Sequence, residues 1–231
     1  MDPGDALATI AEGQIGTRSD AWSDRGNLYG YLMATGSRLA DFGTPRQGRS
    51  PGLHWVRPGF ATPAALHVPF RATLRSGLAP DPSTPDMLRL QNWCAAFVDW
   101  CVLQLLLRFG HTTSLSLAHR PRTASAFGLL DWGRRHWRDG CAVLEDRDLA
   151  PRRGDVAVFK FSHVGIVSSS EASPTQFTSV EGNTTQFGHG NQGYVVARRV
   201  RSTSELRGLI RLPERGQQVL DPVVGGRRSL G

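Results

Sequence analysis

The chain has 231 residues, 39% of them hydrophobic, which is enough for one sizeable core, or for one core carrying a large insertion. Three scattered cysteines, at 94, 101 and 141, exclude a disulfide framework or a cysteine-built metal site, and no apolar run reaches the roughly 20 residues of a membrane span. The formal charge of +7 favours anionic surfaces in general, but the arginines are spread along the chain rather than clustered with aromatics, so a nucleic-acid partner is not indicated.

Helical spacing of apolar residues from Ala6 to Ile15, with Asp2 or Asp5 as N-cap and Gly16 as a stop, predicts a first helix. Gly26-Asn27-Leu28-Tyr29-Gly30 reads as a turn. From about Ala34 to Pro85 glycine and proline recur, arginines are interspersed and no regular period holds, which marks an insertion. Its His54 and His67 lack a carboxylate or thiol at ligand spacing and read as ordinary histidines. Trp93 to Phe109, apolar almost all round and stopped at Gly110, predicts a buried central helix, and Ser125 to Trp137 an amphipathic one with a basic end.

Beyond Pro151 the period changes. Asp155–Phe159, His163–Ser168, Phe177–Glu181, Tyr194–Arg198 and Gly208–Leu212 read as five short strands separated by turn residues. Helices first and strands after predict an α+β fold with an antiparallel sheet, one domain over 1–213 and a frayed tail over 214–231. The N-terminus has neither a basic nor an apolar leader region, so the chain is expected to be cytoplasmic at synthesis and to reach any external substrate by release or delivery.

Cys94 stands at the start of the central helix, where unpaired backbone N–H groups and partial positive charge favour a thiolate. Cys101 lies on nearly the same face about 10 Å further up the axis, too far for a disulfide, and reads as core. A cysteine nucleophile needs a base within hydrogen-bond reach and a third group to hold the base's other nitrogen. His163 opens one predicted strand, and Glu181 and Asn183 close the next, with Gly182 between them permitting a tight bend.

These segments, Ile10–Gly16, Trp93–Val98, Gly154–Phe159, Ser162–Val167 and Glu181-Gly182-Asn183, resemble in order the motifs of the CHAP family, cysteine, histidine-dependent amidohydrolases/peptidases of the papain-like superfamily. The resemblance implies a papain-like arrangement in which Cys94 attacks an amide carbonyl of peptidoglycan. It also implies that His163 moves the proton, that Glu181 orients and charges His163, and that Asn183 polarises the site or shares that task. The Cys94 backbone N–H would meet the oxyanion, with Gln91 as a side-chain donor, and Trp93 beside the thiol would line a substrate groove with Phe97. No metal or cofactor is required. A lysin or a delivered antibacterial effector fits this reading, the latter with an immunity or delivery protein as partner. Two alternatives are a deamidase-like amidohydrolase acting on a protein or small molecule, and a non-catalytic anion-binding module.

Overall fold

The computed structural model describes residues 1–18, 31, 34–35, 93–145, 149–170, 175–185 and 193–216. The predicted turn at 26–30, nearly all of the 34–85 insertion with His54 and His67, Gln91, and the tail beyond 216 lie outside the described residues.

Helix α1 (Pro3–Glu12) begins one turn earlier than its apolar spacing suggests, because Asp2, not Asp5, caps it: its carboxylate accepts from the N–H groups of Gly4 and Asp5, and Pro3 takes the first helical position. Helix α2 (Cys94–Phe109) ends at Gly110 as expected. Helix α3 (Ala126–Arg135) is capped by the Ser125 hydroxyl on the N–H of Gly128 and gives way to a single 3-10 turn, Trp137–Asp139.

Among the described residues six strands form one sheet in the order β1-β6-β2-β3-β4-β5, every neighbouring pair antiparallel. They are β1 (Ala142–Leu144), β2 (Val156–Phe159), β3 (His163–Ser169), β4 (Gln176–Thr184), β5 (Val195–Ser202) and β6 (Leu206–Arg211). The α+β class with an antiparallel sheet is thus observed, with one strand more than expected. β1 is a three-residue edge strand with no fully buried residue, too short to show a period of two. Pairing also continues past Pro213: Glu214 bridges Thr113, and the Arg215 N–H donates to the Thr112 carbonyl.

Strand alternation divides the core. Val156, Val158, Val164, Ile166, Val180, Val196 and Ile210 pack with α1, α2 and α3. Ala157, Phe159, Val167, Phe177 and Leu209 form a second cluster with Leu206, covered by Leu144, Leu149 and Phe161. Charged forks lock the layers. Arg153 grips the Glu12 carboxylate of α1 at 2.8 and 2.9 Å, and Arg211 of β6 grips Asp155, just before β2, at 2.8 and 2.7 Å. Gly154 adopts φ +85 where a side chain would strike the backbone of Gly4, so this turn and the start of α1 are built around its missing Cβ.

Candidate active site

Cys94 is the first residue of α2, and the helix N-cap, Trp93, offers no side-chain hydrogen bond to the first turn. The backbone N–H groups there are not taken by a capping side chain, which leaves the positive end of the helix beside the thiol. Cys94 is 3% exposed. The other two thiols are of a different kind: burial pushes Cys101 far up from its ordinary value, and burial with the Asp139 carboxylate pushes Cys141 up to about 12. Both stay protonated and inert.

His163 opens β3 directly after Ser162, whose φ of 59 turns the chain sharply at the sheet's end. From there its ring meets two partners, Glu181 of the neighbouring strand and Cys94 at the helix terminus. Nε2 lies 3.0 Å from Glu181 Oε2. With Nε2 committed to the carboxylate, the ring's other nitrogen is the one left for Cys94, which lies close enough to act on the ring both as hydrogen-bond partner and as charge. Burial opposes the imidazolium, but Cys94 and Glu181 together outweigh it and raise His163 to about 9. The ring therefore carries a proton across neutral pH.

Glu181 has no exposed surface, and all four acceptor positions of its carboxylate are filled. Oε1 accepts from the Ser179 hydroxyl at 2.6 Å and from Arg201 Nε at 2.8 Å; Oε2 accepts from Arg201 Nη2 at 2.7 Å and from His163. Burial alone would raise its pKa, yet Arg201 and His163 reverse this and hold it down at about 2. Gly165 makes the space: a Cβ there would sit 2.6 Å from Glu181 Cγ.

Arg201, on β5, is the member that sequence reading misses. Its guanidinium lies 5.1 Å from the ring centres of both Phe159 and Phe161, and the same two rings lie against the His163 imidazole at 6.1 and 6.0 Å. A bidentate, aromatic-flanked arginine holds a carboxylate in one orientation. The result is a row of alternating groups, Arg201, Glu181, His163 and Cys94, running from β5 across β4 and β3 to the start of α2.

Asn183 and Trp93 are the other sequence candidates among the described residues. Asn183 is buried in β4 with φ 57, a left-handed conformation that asparagine tolerates better than most residues, at the irregularity where β4 and β5 shift register. This supplies a backbone reason for asparagine at 183. Trp93 is fully buried, stacked on Tyr31 at 5.9 Å, and packs against Gly182, so it fixes α2 on the sheet. Phe97, equally buried, does the same. Gly182 does not end a strand in a bend, since β4 continues to Thr184; a Cβ at this position would lie 2.7 Å from both Phe97 Cβ and Trp93 Cζ3. Its missing side chain sets how closely the cysteine helix approaches β4. Gly182→Ala is expected to push α2 away from the sheet and reduce activity at least tenfold with little change in overall fold. Steady-state kinetics beside far-UV circular dichroism check this.

A helix-borne cysteine joined to a buried histidine–carboxylate pair on an antiparallel sheet has the side-chain set of a cysteine, histidine-dependent hydrolase. The family model described as CHAP domain matches residues 87–183, the same family that the sequence motifs resemble, and domains of that family are typically amidohydrolases or peptidases directed at peptidoglycan. The matched segment holds Cys94, His163 and Glu181, whereas Arg201 lies beyond it. No curated protein matches the chain.

Proposed function

We propose that the chain hydrolyses an amide bond of the peptidoglycan peptide, as an amidase or endopeptidase, with Cys94 as nucleophile. The observation that carries this reading is the buried His163 ring joined to Cys94 on one side and to Glu181 on the other. The thiolate attacks the carbonyl carbon, and the negative charge that develops on oxygen is met by the N–H groups at the start of α2. His163, protonated at the outset, gives its proton to the leaving amine as the C–N bond breaks and the thioester forms. The neutral imidazole then takes a proton from water, whose oxygen displaces the thiolate to yield the new carboxylate. Glu181 stays ionised throughout and holds the ring in place while stabilising its charge. Gln91, three residues before the nucleophile, is a further candidate donor to the oxyanion.

The protein would act on the wall after release or delivery, as a lysin or an antibacterial effector domain. In the effector case an immunity protein or a delivery protein is its partner. The net charge of +7 suits an anionic wall.

Purified sacculi test the proposal. Wild type should release soluble fragments bearing new amine termini, and Cys94→Ala should release none. Equal release by the two proteins would remove Cys94 as nucleophile. Intact sacculi, with a protein or small-molecule amide hydrolysed instead, would move the substrate.

A further inference from the structure

A second cluster of reactive side chains lies at the far end of α3, outside the constellation around Cys94. His119 in the 3-10 turn Leu117–His119, His136 at the C-cap of α3 and Asp139 in the following 3-10 turn place one ligand atom each within 4.8 Å of the others. Asp139 Oδ2 is the focus. His136 Nδ1 lies 2.6 Å from it and His119 Nδ1 3.1 Å, and the two imidazole centres are 5.1 Å apart. The sequence holds no hint of this grouping, because His119 joins the His136-x-x-Asp139 pair from 17 residues upstream.

We propose that His119, His136 and Asp139 form a binding site for a zinc-type divalent transition metal. Two imidazole nitrogens and one carboxylate oxygen make a borderline donor set, suited to Zn²⁺ or Co²⁺ and poorly matched to Ca²⁺ or Mg²⁺, which demand oxygen ligands. A tetrahedral zinc ion about 2.0–2.1 Å from each ligand holds the ligand atoms roughly 3.3 Å apart. The observed 3.1 Å already fits, the 2.6 Å contact between His136 and Asp139 must open by a few tenths of an ångström, and the two imidazole nitrogens, within 4.8 Å of each other, must come to that spacing. Rotation of Asp139 opens the first and rotation of His119, half exposed at 50%, adjusts the second, and the exposed side leaves the fourth position to water.

The surroundings hold the ligands ready. The buried Trp132 indole N–H donates to the His119 carbonyl at 2.7 Å, and its ring packs on His136 at 5.7 Å. The Ser114 hydroxyl donates to the Asp139 carbonyl at 2.9 Å, and the Cys141 N–H to the His136 carbonyl at 3.2 Å. Backbones fixed in this way leave little ordering to be done when a metal binds. A metal here pins the 110–125 connection to the end of α3. The same connection is tied to α2 by the Thr123 N–H on Asp99 at 2.6 Å, so the ion staples together two of the helices that carry the sheet's buried face.

Titration of chelator-treated protein with Zn²⁺ or Co²⁺ alone decides the matter, in a Cys94→Ala background so that the nucleophile cannot serve as ligand. The full chain should take up one saturable equivalent, gain the visible absorption of four-coordinate Co²⁺ and unfold at a higher temperature with Zn²⁺ than without. His119→Asn and His136→Asn retain a donor to Asp139 but no imidazole ligand. Each should lose the equivalent while keeping the metal-free unfolding temperature of the parent. Absence of a saturable equivalent in the parent overturns the site, leaving a hydrogen-bonded cluster only. An equivalent that persists in the His119→Asn/His136→Asn double variant places the metal elsewhere and overturns it equally.

Discussion

Glu181→Gln is expected to lower the folding free energy by about 3–5 kcal/mol and kcat by roughly 10³–10⁴-fold. The two losses have different causes. Stability falls because Arg201, buried against two phenyl rings, keeps its charge while Glu181, the fully buried carboxylate that it grips, becomes neutral. Activity falls because an amide in place of the carboxylate no longer stabilises an imidazolium and can present an N–H to the ring nitrogen that should donate. Urea unfolding and steady-state kinetics measure the two separately. Combining the substitution with Arg201→Met removes the buried guanidinium left beside a neutral amide, so the double variant should regain most of the stability and none of the activity. Recovery of both together would mean that Glu181 serves the fold and not the reaction.

Activity should hold through neutral pH and fall as pH rises through about 9, where His163 gives up its proton. The same titration affects stability. His163 has a folded-state pKa above its ordinary 6.5, so the stability it contributes is fully present below 6.5 and is lost as pH rises through about 9. That contribution is on the order of 3 kcal/mol at one unit per 1.4 kcal/mol. Glu181 is shifted the other way. Its contribution is present above its ordinary 4.5 and disappears as pH falls through about 2. Stability should therefore be greatest between roughly pH 4.5 and 6.5 and decline on both sides. Cys94→Ala removes one of the two groups that raise His163, so its alkaline decline should move to lower pH. An unfolding profile of Cys94→Ala identical to that of wild type above pH 7 would dissociate the thiol from the ring.

Features with a local signature were legible in the sequence. The apolar run stopped by Gly110, the Ser125 cap and the alternation in β2, β3 and β4 are all decided within a few residues, and the structure places them where those residues indicate. The order Cys94, His163, Glu181 was readable for the same reason, the first two sitting at the start of a helix and of a strand and the third near the end of the next strand. Arg201 was not. In Arg198-Arg199-Val200-Arg201 nothing local separates the one arginine that is buried from its solvated neighbours; only the register of β5 against β4 does so. A carboxylate expected to be buried does imply a cation nearby, and that was the available signal. The bend expected at Gly182 is not where β4 ends, and the packing around Gly182 and Trp93 was not legible either. Neither the stacking of Tyr31 on the indole nor the 2.7 Å gap over Gly182 follows from composition or spacing.

Strand β4 carries two duties on adjacent residues. Glu181 points into the cluster with Arg201, and Gly182, on the opposite face, seats the helix that bears Cys94. Pleating makes these assignments a matter of odd and even positions. Deleting or inserting one residue between Phe177 and Glu181 would turn the carboxylate toward Trp93 and Phe97 and set a side chain where the gap is needed, undoing the acid and the helix seat in one step. Replacing residues here costs what each side chain contributes, whereas a frame change of one costs the whole constellation. Length, more than composition, is what this stretch has to preserve.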